Sequence, residues 1–88
     1  MQLKMKISGK VQDVWYRAST AGIARDLNLQ GYAKNLPNDS VEVLAIGNKE
    51  DLEKLKKWCE HGPKHAEVKK VETSWSDAET ECESFLVL

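Results

Sequence analysis

The sequence predicts an α+β fold: an antiparallel sheet with two helices packed on one face. Residues 2–8 alternate apolar and polar side chains, two later stretches carry apolar residues at helical spacing, and between those stretches lie two strand-like runs joined by turn residues. Strand, helix, hairpin, helix and strand follow one another in the βαββαβ order of the ferredoxin-like split sandwich. That order serves many activities, so it locates candidate sites without naming their chemistry.

In the first strand Leu3, Met5 and Ile7 alternate with Gln2, Lys4, Lys6 and Ser8, the period of a ribbon with one buried and one solvated face. From Tyr16 to about Leu29 the period lengthens to that of a helix, with Tyr16, Thr20, Ile23, Ala24 and Leu27 on one face. Gly31 interrupts this pattern. A short strand is expected from Tyr32 to Leu36, Pro37-Asn38-Asp39-Ser40 supplies a turn, and a partner strand runs from Val41 to Ile46. Asn48 is the expected N-cap of a second helix, with Asp51 at its third position, Leu52, Leu55 and Cys59 on its apolar stripe, and Gly62-Pro63 as its stop. A further strand is expected from about Ala66, where Lys69-Lys70 separates Val68 from Val71 and slips the alternation. Such a slip predicts a bulge or an edge strand. Ser76 to Glu83 reads as an acidic surface loop, and Ser84 to Leu88 as a last short strand.

At 88 residues, positions 1–88 are read as one domain with one core. Thirteen Lys and Arg against 14 Asp and Glu leave a formal charge of -1, so any anion site must be local. Lys4, Lys6 and Lys34 could form a modest basic sheet face, but without interleaved aromatics no nucleic-acid partner is expected. The N-terminal alternation lacks the continuous apolar run of a leader or membrane span, so a soluble cytoplasmic protein without membrane contact is expected. A monomer is the expected state. Cys59 and Cys82 have no C-x-x-C spacing and are read as reduced thiols, neither of them a nucleophile. His61 and His65 flank a probable loop and are read as surface residues. With no Gly-rich nucleotide loop and no metal-ligand cluster, no metal and no cofactor are expected.

The chemistry concentrates in Gly9 to Arg17 (G-K-V-Q-D-V-W-Y-R), which leads from the end of the first strand into the first helix. Such a junction offers backbone N–H groups without intrahelical partners, the positive end of the helix dipole, and in Arg17 a planar fork of donors. Phosphoryl oxygens suit that arrangement. The amides of Val11, Gln12, Asp13, Val14, Trp15 and Tyr16 are the candidate donors, with Arg17 beside them. Gly9 would permit a tight bend or close backbone approach, and Gln12 would brace the loop. Trp15 could wall the site or anchor the helix, while Tyr16 reads as core.

With Thr20 in the helix and Gly31-Tyr32-Ala33-Lys34-Asn35 further on, the chain resembles the acylphosphatase family, whose pattern is roughly G-x-V-Q-G-V-x-[FY]-R-x-x-T followed by G-[WY]-x-x-N. The resemblance implies the ferredoxin-like fold and hydrolysis of a small-molecule acyl phosphate without metal or nucleotide. It also implies that Asn35 orients the attacking water, although Asn35 by itself could simply cap the strand before Leu36-Pro37. Thr20 would support the loop on the family reading, or back-bond within the helix as a core residue. An acyl phosphate is a mixed anhydride whose carboxylate leaves without a proton. The protein's task is then to hold the phosphoryl group, neutralise its oxygens and place a water in line with the breaking P–O bond.

One position departs from that pattern. Asp13 stands where the family has glycine. Aspartate tolerates left-handed backbone, but a carboxylate about 8 Å from a phosphoryl charge opposes binding by about 2 kcal/mol per unit charge at an effective dielectric near 20. The expectation is an outward-pointing side chain and a weakened phosphate site. The alternatives are an inactive anion-binding module, or Asp13 acting as a general base.

Overall fold

The computed structural model describes residues 1–77 and 80–88. Its elements are β1 (Gln2–Lys10), α1 (Tyr16–Asp26), β2 (Gln30–Asn35), β3 (Val41–Ile46), α2 (Lys49–Cys59), β4 (Glu67–Ser76) and β5 (Phe85–Val87). The sheet order is β4-β1-β3-β2-β5. This is the predicted α+β fold, two helices on a sheet. One pairing was not anticipated: β5 runs parallel to β2, against an otherwise antiparallel set. The sheet is therefore mixed.

The core lies between sheet and helices. Leu3, Met5 and Ile7 from β1, Val41, Val43 and Ala45 from β3, Ala33 from β2 and Phe85 from β5 meet Tyr16, Ala21 and Ala24 of α1 and Leu52, Leu55 and Cys59 of α2. Each fully buried large aliphatic contributes about 1.5–3 kcal/mol, so the period-two register of β1 is fixed by burial. Ile23 and Leu27 pack at the margin of the same core.

Helix α1 stops earlier than its apolar period suggests. Asn28 adopts φ 58°, its N–H donates to the Arg25 carbonyl (3.0 Å), and the Leu29 N–H donates to the Ala24 carbonyl (2.9 Å). This pair of bonds is a Schellman stop, with asparagine in the position usually held by glycine. Gly31, expected to interrupt, lies inside β2 at φ 138°, where an added Cβ would sit 1.8 Å from the Leu44 carbonyl oxygen. It is a close-approach position within a strand.

The phase slip in β4 is both of the things it predicted. β4 is an edge strand, and its register against β1 shifts between Ser8 and Gly9, so that Ser8 pairs with Lys70 and Gly9 with Val68. Gly9 (φ 128°) leaves 2.1 Å between a hypothetical Cβ and the Glu67 carbonyl oxygen, the close approach expected of it. Ser76, read as the start of the acidic loop, instead ends β4, because strand pairing carries through to Gln2. Residues 78 and 79 of that expected loop lie outside the described residues. No helix among the described residues is long and apolar enough to cross a membrane.

Candidate active site

The two helices begin differently. In α2 the Asn48 side chain accepts from the Asp51 N–H at 2.9 Å, and Glu50 and Asp51 lie in the first turn. Helix α1 has no side-chain cap and no acidic residue in its first turn. Its first-turn amides and the positive end of its dipole are left for another acceptor.

The approach to that helix is built from left-handed residues. Asp13 has φ 61° and Trp15, the N-cap, has φ 64°. Alternating backbone sign turns successive N–H groups toward one side and makes an anion-receptive concavity. Left-handed backbone costs a non-glycine residue on the order of 1–3 kcal/mol, and such strain clusters at ligand sites.

Three contacts hold this loop to the body of the protein. Val11 is buried in the core at the loop's start. The Gln12 amide donates from Nε2 to the main-chain oxygens of Leu36 (3.0 Å) and Ser40 (2.9 Å), bracing the loop against the β2–β3 turn as expected. At the other end Tyr16 is buried, donates its hydroxyl to the Cys59 carbonyl at 2.6 Å and lies 5.8 Å from the Trp58 ring. Tyr16 is a core anchor, and burial pushes its phenol far above the ordinary range. Thr20 is also buried, and its hydroxyl donates to the Tyr16 carbonyl at 2.7 Å, the back-bonded arrangement.

Arg17 and Asn35, from different elements, border one cleft of about 420 Å³ together with Asp13 and Trp15 of the loop. Val11, Tyr16, Ala18 and Val87 complete its lining. Gly9, Gln12 and Thr20 do not line this cleft: Gly9 and Gln12 border a separate depression, Thr20 is buried in the helix, and Val14 packs against the core from within the loop. Asn35 ends β2, is exposed, and its side chain makes no hydrogen bond among the described residues. Asp13 is exposed at the cleft mouth and also borders a shallow depression lined by Lys10 and Lys69.

What grips β5 leaves no signal in the sequence. Arg17 Nη1 donates to the main-chain oxygen of Leu88, and Arg25 donates from Nε (3.2 Å) and Nη2 (2.7 Å) to the Phe85 carbonyl. These contacts join residues far apart in the chain. A guanidinium has five N–H donors, so the Leu88 contact fixes the Arg17 fork and leaves donors over.

Other sequence candidates fall elsewhere. Lys4 and Lys34 both pair with Glu42, at 3.6 and 3.5 Å. His61 and His65 are exposed beyond α2. Cys59 and Cys82 are free thiols, and Cys59 is buried in the core.

Fold and site define a class: a small α+β domain with an uncapped first helix, left-handed residues just before it, and an arginine on the cleft they border. Comparison with known proteins narrows that class. The acylphosphatase family model matches residues 3–87. An acylphosphatase from Hahella chejuensis is 50% identical over 84% of this chain and 79% of its own length. One from Deinococcus radiodurans is 46% identical over 88% of both chains. The solved structure of an acylphosphatase from Coxiella burnetii superposes with a TM-score of 0.91 at 33% identity, covering 99% of this chain and 90% of that one. The chain belongs to the acylphosphatase family.

Proposed function

We propose that this protein hydrolyses acyl phosphates to a carboxylate and inorganic phosphate, residues 1–88 acting as one unit. The observation that carries the reading is the meeting of Arg17, Asn35 and the left-handed loop at one cleft beside an uncapped helix N-terminus. Family membership supports the same activity.

In this mechanism the amides of residues 11–16 and the Arg17 fork hold the phosphoryl oxygens and stabilise the charge that develops on them. Asn35 accepts a hydrogen bond from a water and aims it at phosphorus, opposite the leaving carboxylate. No general acid is required, because the carboxylate leaves as a stable anion. Asp13, exposed at the mouth, weakens the hold on phosphate through solvent-screened repulsion without contacting the reacting atoms.

The test is hydrolysis of benzoyl phosphate with a metal chelator present. Arg17→Ala removes charge-assisted bonds of roughly 1.5–3 kcal/mol each, so loss of two should slow turnover on the order of 10²–10⁴-fold. A variant retaining half the rate would remove Arg17 from the mechanism. Asn35→Ala should lower kcat much more than it weakens inhibition by inorganic phosphate; equal losses would make Asn35 a binding group.

A second reading, a phosphate-binding module without turnover, is favoured by one observation: Asp13 borders the cleft. Asp13→Gly separates the two. On the enzyme reading it raises kcat/KM and tightens phosphate binding, whereas on the module reading it tightens phosphate binding while turnover stays absent.

A further inference from the structure

Once the phosphoryl group takes the loop amides, Arg17 and Asn35, the side chains left along the cleft for the acyl group are apolar apart from the Asp13 carboxylate. Val11 and Tyr16 are each 1% exposed and offer it nothing. Trp15 is 80% exposed and Val87 42%, and both line the cleft. An indole so exposed does not anchor the core, and a bulky residue in left-handed backbone is a conformational outlier. Two unfavourable features at one residue beside a reaction cleft call for a ligand contact. Asp13, on the same rim, adds a negative charge that opposes a second anionic group on the substrate.

We propose that Trp15 and Val87 form the acyl-group subsite, selecting acyl phosphates whose acyl part is apolar, flat and uncharged, aromatic acids above all. This rests on the acyl-phosphatase reading and names its substrate class. The indole offers a face or edge to an aryl ring, and Val87, reaching the cleft from β5, supplies the facing contact. A two-carbon acyl group has no ring for the indole to pack against. An acyl group with its own carboxylate would meet Asp13. Trp15 and Val87 do not touch the reacting phosphorus; they set specificity.

The experiment compares kcat/KM for benzoyl phosphate, acetyl phosphate and 4-carboxybenzoyl phosphate, with inorganic phosphate as competitive inhibitor. The unmodified protein should prefer benzoyl over both others. Trp15→Ala should reduce the benzoyl-to-acetyl preference by about 3- to 10-fold. Trp15→Phe should recover most of the preference, and phosphate inhibition should stay unchanged in Val87→Ser, which alters no loop residue. Val87→Ser, on a different element, should shift the same ratio in the same direction. Asp13→Asn should narrow the gap between benzoyl and 4-carboxybenzoyl phosphate. A benzoyl-to-acetyl ratio unmoved by Trp15→Ala and by Val87→Ser overturns the subsite while leaving the hydrolase intact. If the unmodified protein hydrolyses none of the three, the hydrolase reading itself fails and takes the subsite with it.

Discussion

Gln12 is where loop geometry and fold stability meet. Its Nε2 donates to the carbonyls of Leu36 and Ser40, which close the turn between β2 and β3, and β2 ends in Asn35. Replacing Gln12 with Ala removes both bonds; the Ser40 carbonyl keeps the Leu36 N–H (2.8 Å), and the Leu36 carbonyl loses its Gln12 donor. At roughly 1 kcal/mol for each net bond, the loss is about 2 kcal/mol. In a domain of this size each kcal/mol moves the thermal midpoint by about 4–8 °C, so Gln12→Ala should melt about 8–16 °C below the parent. The assay is far-UV circular dichroism against temperature, with benzoyl phosphate turnover measured well below the transition. Turnover should also fall at that lower temperature, since the tie between the loop and the Asn35 strand is gone. A midpoint within about 3 °C of the parent, with unchanged turnover, would show that the Gln12 brace contributes neither stability nor loop placement.

Three further outcomes follow from the same structure. Gly31→Ala places a Cβ against the Leu44 carbonyl in strained backbone and should destabilise by on the order of 3 kcal/mol or more, read by chemical denaturation; a loss under about 1 kcal/mol would contradict the close approach. Burial alone would raise the Glu42 carboxyl, but the Tyr32 hydroxyl with Lys4 and Lys34 outweighs it and holds the pKa below the ordinary value. The stability this supplies is present above the unfolded carboxylate pKa and is lost as pH falls through the lower folded one. Glu42→Gln should accordingly flatten the acid limb of stability against pH, and an unchanged limb would count against the cluster. Burial pushes the Cys59 thiol up to about 12, against the opposing effect of hydrogen bonds with Tyr16 and Thr20. Iodoacetamide at neutral pH should therefore modify Cys82 in the folded protein and reach Cys59 only after denaturation, and mass spectrometry would expose the reverse order.

Much of the fold was legible because burial enforces period. The alternation of Leu3, Met5 and Ile7 could be satisfied only with that face inward, and Asn48 with Asp51 is a local signal that needs no tertiary partner. The slip at Lys69-Lys70 was likewise visible as a break in phase. Signals that depend on backbone sign were harder. Apolar residues continue through Leu27 and Leu29, yet α1 stops because Asn28 turns left-handed, a conformation that residue type permits without requiring. Gly31 looked like a breaker because glycine serves both turns and close approaches, and which of them applies depends on the neighbouring strand.

The candidate site divides in the same way. The loop from Gly9 to Arg17 is contiguous, and its junction chemistry can be read in order. That Arg17 also grips Leu88, and that Val87 reaches the cleft, depends on a three-residue strand whose parallel pairing leaves no local trace. The absence of any cap on α1 was readable beforehand: the residue before Tyr16 is a tryptophan, which cannot accept the hydrogen bond that Asn48 accepts at α2. The contrast between the two helix starts is the sequence-level signal most easily overlooked.

In the proposed mechanism, main-chain amides before α1 and the Arg17 guanidinium converge on one phosphoryl group. Titration of the ¹⁵N-labelled protein with inorganic phosphate tests it most directly. Saturable amide shifts concentrated in residues 11–17, and abolished in Arg17→Ala while the rest of the spectrum stays native, are the predicted result. Shifts centred on another surface, or the same shifts persisting without Arg17, would contradict it.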